Sequence, residues 1–163
     1  AKAKTRHPES CIQICEGENA HVKCKSPYTL NINQESTVFS LRKGANSGEE
    51  MMILKIFANS AMLMLPRHVD IQILPLMGIP SMLLTTKRPK LSARGNWILD
   101  FNNKFTIPSE KNMIFVSSKD IDGAEFLFIR KISSNGMEID LCTDMPEIGV
   151  FAIGLSIFLA KFS

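Results

Sequence analysis

The stretch that decides the fold closes the chain: residues 148–162, IGVFAIGLSIFLAKF, are apolar or small everywhere except Ser156 and Lys161. A helix apolar on every side has to be buried in protein or lipid. Its apolar run of about 13 residues is shorter than the roughly 20 that a membrane span needs. Pro146 and Glu147 suit a helix start, because proline is tolerated in the first turn and an acid complements the helix dipole. The β-branched and aromatic content would equally allow a buried strand. What precedes this segment favours the helix.

Upstream, short apolar stretches alternate with turn residues. Candidate strands cover 10–15, 20–25, 27–32, 37–41, 51–57, 68–74, 81–85, 96–101, 112–116, 125–131 and 137–141. Between them lie Gly17, the run 44–48 (GANSG), Asn102-Asn103, 120–123 (DIDG) and 133–136 (SSNG), which are the residues turns favour. Spacing of this kind predicts a barrel or a sandwich. In 96–101, Trp97, Leu99 and Phe101 share one face and are expected in the core. In 125–131 both faces are apolar until Arg130 and Lys131, which marks a strand that is central or sandwiched. A helix running through the middle of a closed antiparallel β-barrel accounts for both the many strands and the all-round apolar segment.

The 163 residues are 45% hydrophobic and 21% charged, the composition of one globular domain with a real core. A net charge of +3 is compatible with an anionic partner without demanding one. Residues 1–9 are basic and polar and read as a flexible lead-in, with no apolar segment behind them to make a signal peptide. Without a secretory context, Cys11, Cys15, Cys24 and Cys142 are expected as free structural thiols rather than disulfides, and no second pair or nearby histidine turns Cys11 and Cys15 into a metal site. His7, His21 and His68 lack obvious partners, and no phosphate loop, nucleophile elbow or paired metal motif occurs. The chain is therefore expected to be neither an enzyme nor the holder of a metal or cofactor.

The C-terminal run Phe151-Ala-Ile-Gly-Leu-Ser-Ile-Phe158, followed by Lys161, resembles the tubby-family signature FAIALSSF with its lysine. Asn96-Trp-Ile-Leu-Asp-Phe101 and the turn after it resemble the family's SYVLNFHGRV. Ser109-Glu-Lys-Asn-Met-Ile-Phe115 resembles SVKNFQI, and Thr86-Lys-Arg-Pro89 stands where the family has NKTP. Residues 140–142 fall near its MDYNYPLC stretch. These similarities run in order from about residue 85 to the end. Upstream they are thinner: 49–54 against QELAAV, Leu65-Pro-Arg-His68 against GPRK, 22–26 against GKLRS and 37–39 against FTVYDNG. The resemblance is to the C-terminal domain of tubby-like proteins, here divergent and lacking the family's first strands. It implies a closed antiparallel barrel around the C-terminal helix. It also implies binding of phosphatidylinositol 4,5-bisphosphate, peripheral attachment to the cytoplasmic face of the plasma membrane, and an adaptor role in trafficking or signalling, with ciliary or nuclear settings known in the family.

A phosphoinositide headgroup concentrates several negative charges, so its site needs two or more Lys or Arg side chains that converge. In the candidate strand 20–25, alternation puts Lys23 and Lys25 on one face, roughly 7 Å apart. By resemblance these two match the family's Lys-x-Arg pair. The family's asparagine falls near Ser10 and its third basic residue near Gly48, so both contacts are altered. Arg42 and Lys43 are the candidates for the missing charge. The ordinary alternative is that Lys23, Lys25, Arg42 and Lys43 are solvated surface charges. A second basic cluster, Lys87, Arg88, Lys90 and Arg94, has no interleaved aromatics, which argues against a single-strand nucleic-acid platform and for an exposed loop. Two readings follow: a phosphoinositide-tethered adaptor whose protein cargo is unspecified, or a degenerate barrel kept as a protein-interaction module in a larger assembly. Nucleic-acid binding is a more distant third.

Overall fold

A computed structural model of the chain describes residues 10–15, 27–44, 47–57 and 67–160. Residues 1–9 and the candidate strand 20–25, with Lys23 and Lys25, lie outside the described residues. Eleven strands precede one helix: β1 (Ser10–Ile14), β2 (Tyr28–Ile32), β3 (Val38–Lys43), β4 (Glu49–Phe57), β5 (His68–Ile73), β6 (Met82–Thr86), β7 (Lys90–Leu91), β8 (Trp97–Ile98), β9 (Met113–Ser117), β10 (Asp120–Lys131), β11 (Met137–Leu141) and α1 (Glu147–Leu159).

The strands form because alternation gives each of them one apolar face. Phe39 and Leu41 of β3, Met52, Leu54 and Ile56 of β4, and Val69, Ile71 and Ile73 of β5 all point to the same side and are buried together. Their turns are specified locally. Between β2 and β3, Asn33 Oδ1 accepts from the backbone N–H groups of Thr37 (2.8 Å) and Val38 (2.9 Å), while its amide donates to Thr37 Oγ1. This side chain stands in for a backbone turn, the role for which asparagine is suited.

Nine strands make one antiparallel sheet in the order β1-β2-β3-β4-β5-β6-β9-β10-β11. Among the described residues the sheet does not close: β1 and β11 are its two edges, and no register joins them. The expected closed barrel is thereby corrected to an open sheet with a helix on its apolar face. The physical reason lies in the middle of the chain. β6 pairs directly with β9, so the whole stretch between them leaves the sheet, and its short strands β7 and β8 pair only with each other. Residues expected to build the wall are spent on an excursion outside it.

α1 packs on the inner face through Ala152, Ile153 and Ile157, which join the core with Phe39, Met52, Ile71, Leu127 and Ile129. Pro146 precedes it and Glu147 occupies its first turn, as expected from the sequence. Two glycines let the helix sit close: a Cβ at Gly149 would meet Met77, and one at Gly154 would meet Ile139. The helix is not enclosed on all sides, however. Phe158 is 49% exposed, and Ile148, Val150, Phe151, Leu155 and Leu159 are only partly buried. The central position expected for it is corrected accordingly. No helix among the described residues is long and apolar enough to cross a membrane.

A second, smaller core lies on the outer face of the sheet. Phe101 covers Phe128 of β10 (ring centroids 6.4 Å apart) and Ile114 of β9, with Leu99 against them. This explains why β10 is apolar on both faces: Leu127 and Ile129 belong to the main core that α1 covers, and Phe128 packs against Phe101 of the excursion.

Candidate functional site

Of the four residues singled out for a headgroup, the structure describes Arg42 and Lys43. They are neighbours on β3, so alternation sends them to opposite faces, and they do not converge. Arg42 is already engaged. Its Nη2 meets Glu50 Oε1 at 3.0 Å, its Nη1 donates to the carbonyl of Gly48 (3.1 Å) and its Nε to Ser40 Oγ (3.1 Å). Ser40 in turn donates to the same Glu50 oxygen at 2.6 Å. All of the guanidinium's edges are thus tied to the β3–β4 hairpin. Gly48, which stands where the resemblance has a basic side chain, contributes a carbonyl to this clamp. Lys43 is exposed, in register with Tyr28 on one side and Glu49 on the other, and makes no ion pair among the described residues.

The second basic cluster divides. Lys87 Nζ is held by Glu125 at 2.7 Å, whereas Arg88, Lys90 and Arg94 are surface residues of the excursion. His68 has partners that its sequence neighbours did not reveal. Its Nε2 lies 2.9 Å from Asp70 Oδ1, to which Thr85 also donates (2.7 Å), and its ring packs on Phe57 with centroids 5.1 Å apart. The carboxylate here sits between hydroxyl and imidazole, and Thr85 gives its proton to Asp70, so this is a cross-strand latch of β5 and β6 rather than an activated nucleophile. Cys11, Cys15 and Cys142 are free thiols, and Cys11 and Cys142 lie at the surface instead of in the core. No group of three potential metal ligands occurs among the described residues.

One concavity among the described residues gave no signal in the sequence. A cleft of about 750 Å³ opens between the excursion and the end of the sheet. It is lined by Trp97, Ile98 and Phe101, by Pro108, Ser109 and Glu110 of the loop before β9, and by Met113 and Thr86. Trp97 was expected in the core, but it is 42% exposed, because β8 turns with the excursion instead of entering the sheet. Arg67 reaches the cleft with only 14% of its side chain exposed, and its Nε meets Glu110 at 3.3 Å.

The cleft's outer wall is pinned to β10 by a network built around Arg130. This residue is 4% exposed, and it donates to Asp140 (3.0 and 2.8 Å), to Glu138 (2.8 Å) and to the carbonyl of Phe105 (2.8 Å). Lys104 adds a 3.0 Å bond to Asp140. Burial raises the Asp140 pKa, but the hydrogen bonds and charges of Lys104 and Arg130 outweigh it and hold the carboxyl below its usual range. Next to this network, Asn112 Oδ1 accepts from the Lys131 backbone N–H (2.7 Å) and Ile107 N–H donates to the Lys131 carbonyl (2.8 Å). The position of Arg130 at the end of an otherwise apolar strand was the only signal of this network in the sequence.

Compared with models of known families and with curated proteins, the chain matches none.

Proposed function

We propose that this chain is a divergent relative of the tubby-like domains and a non-catalytic adaptor that attaches reversibly to phosphatidylinositol 4,5-bisphosphate at the cytoplasmic face of a membrane. The order of the resembling segments supports this reading, and one structural observation is compatible with the site. Lys43 stands exposed and without a counter-ion among the described residues, opposite Tyr28, and Lys25 is three positions before Tyr28 in sequence. An exposed lysine end is a point charge that can approach a phosphate without first breaking an ion pair. Arg42 is left out of the proposed site, since recruiting it would cost three hydrogen bonds of the β3–β4 clamp. The lipid-binding set is therefore Lys23, Lys25 and Lys43.

Liposome co-sedimentation tests this, comparing phosphatidylinositol 4,5-bisphosphate with phosphatidylserine at matched charge. The wild type is expected to prefer the phosphoinositide, the Lys23→Ala, Lys25→Ala double variant to lose that preference, and added salt to weaken binding. Equal sedimentation with both lipids, or with neither, would overturn the proposal.

A second reading, a protein-contact module, is favoured by the two sheet edges left open among the described residues and the half-exposed apolar side of α1. Open strand edges present unpaired N–H and C=O groups that another chain can match. A monodisperse monomer at high concentration that also binds phosphoinositide would count against it.

A further inference from the structure

The geometry points to the cleft beside Trp97 as a binding site for a small amphiphilic carboxylic acid, with its apolar body on the tryptophan wall and its carboxylate exchanging with Glu110 at Arg67. The volume, about 750 Å³, lies within the range that small-molecule sites occupy. Trp97, Ile98, Phe101 and Met113 supply apolar surface, much of it exposed in Trp97 and Ile98. Burying that surface is the gain that brings such a ligand in.

The charge at the site selects the sign of the headgroup. Arg67 is largely buried, while its partner Glu110 is 66% exposed and meets it at 3.3 Å. A solvated carboxylate on a surface loop contributes little as an ion pair, because water screens it and ordering its side chain costs entropy. A ligand carboxylate delivered by an apolar body avoids that ordering cost and can take the place of the Glu110 carboxylate at Arg67 Nε. The other cation of the cleft, Lys87, is held by Glu125 at 2.7 Å, both side chains being largely covered, so the exchange is assigned to Arg67. The walls are formed before any ligand arrives. Arg130 holds the Phe105 carbonyl and Asn112 holds the Lys131 N–H, which fixes the loop carrying Pro108 to Glu110. Preformed walls reduce the ordering cost of binding.

Trp97 is the only tryptophan in the chain, so its emission reads the cleft directly. The test is a titration of the whole chain with decanoate below its micelle concentration, with decanol and acetate as comparison ligands. Decanoate is expected to give a saturable blue shift, decanol a weaker one and acetate none at the same concentrations. Glu110→Gln removes the competing counter-ion and is expected to tighten decanoate by about threefold to tenfold while leaving decanol unchanged. Arg67→Gln is expected to erase the preference for decanoate over decanol. Should Arg67→Gln fail to fold, Glu110→Gln still decides, because Glu110 is a surface residue. Equal affinity for decanoate and decanol in the wild type, no saturable shift, or no effect of Glu110→Gln on decanoate would overturn the assignment.

Discussion

Truncating Ile153 should destabilise the domain several times more than truncating Phe158, although both lie in a helix whose sequence has no polar face. Ile153 is fully buried between α1 and the sheet. Ile153→Ala removes three carbon atoms, worth about 2.4 kcal/mol of transfer free energy at ~0.8 kcal/mol per methylene. The cavity left behind adds to this, and such truncations span about 2–5 kcal/mol, so about 3 kcal/mol is expected. Phe158 is 49% exposed, so roughly half of an aromatic side chain's burial is at stake, together with the Lys111 ammonium 5.1 Å from its ring centre. An exposed cation–π contact contributes about 0.5–1 kcal/mol, and alanine's better helix propensity offsets part of the loss. About 1 kcal/mol is expected for Phe158→Ala. Urea unfolding followed by far-UV circular dichroism measures both, the midpoint shift giving the difference if the slope is unchanged. Equal costs, or a larger cost at Phe158, would mean that the helix buries a different face and would refute the packing described here.

Other consequences can be checked alongside. Arg130→Met should cost about 3 kcal/mol, at the low end for a buried ion pair because Asp140 and Glu138 remain reachable by water, and should weaken decanoate binding by loosening the cleft wall. The Asp140 carboxyl has its pKa lowered by folding, so its contribution is present above the unfolded value of about 3.8 and is lost as pH falls through the folded value. Acid melting curves of Asp140→Asn and wild type should therefore converge below that value and separate above it; a constant separation would remove the assignment. Asn33→Ala should cost about 1–2 kcal/mol in urea unfolding, since two backbone donors of the β2–β3 turn lose their acceptor. Limited alkylation read by mass spectrometry should modify Cys11 and Cys142 before Cys15.

The lipid site and the cleft were legible in the sequence to different degrees, for a physical reason that single residues illustrate. Basic residues announce themselves, so Arg42 and Lys43 could be singled out by type. Whether a charge is available depends on what lies across the strand, and Glu50 and the Gly48 carbonyl, which occupy Arg42, come from the partner strand and the turn before it in a bulged hairpin. Trp97 gave a misleading signal: its spacing with Leu99 and Phe101 is that of a core-facing strand, and two of the three do pack. The tryptophan lines the cleft because β7 pairs only with β8.

The sequence by itself determined the mainly β class, most of the strands, the helix after Pro146 and the double-sided apolar character of β10, because all of these rest on local periodicity and turn chemistry. The tertiary structure alone decided that β6 pairs with β9, that the sheet stays open between β1 and β11 among the described residues, and which side of α1 is covered. Strand order depends on contacts between residues far apart in the chain, which no local pattern encodes. A helix apolar all round likewise carries no mark of its buried face, and only the packing of Ala152, Ile153 and Ile157 shows which side meets the sheet.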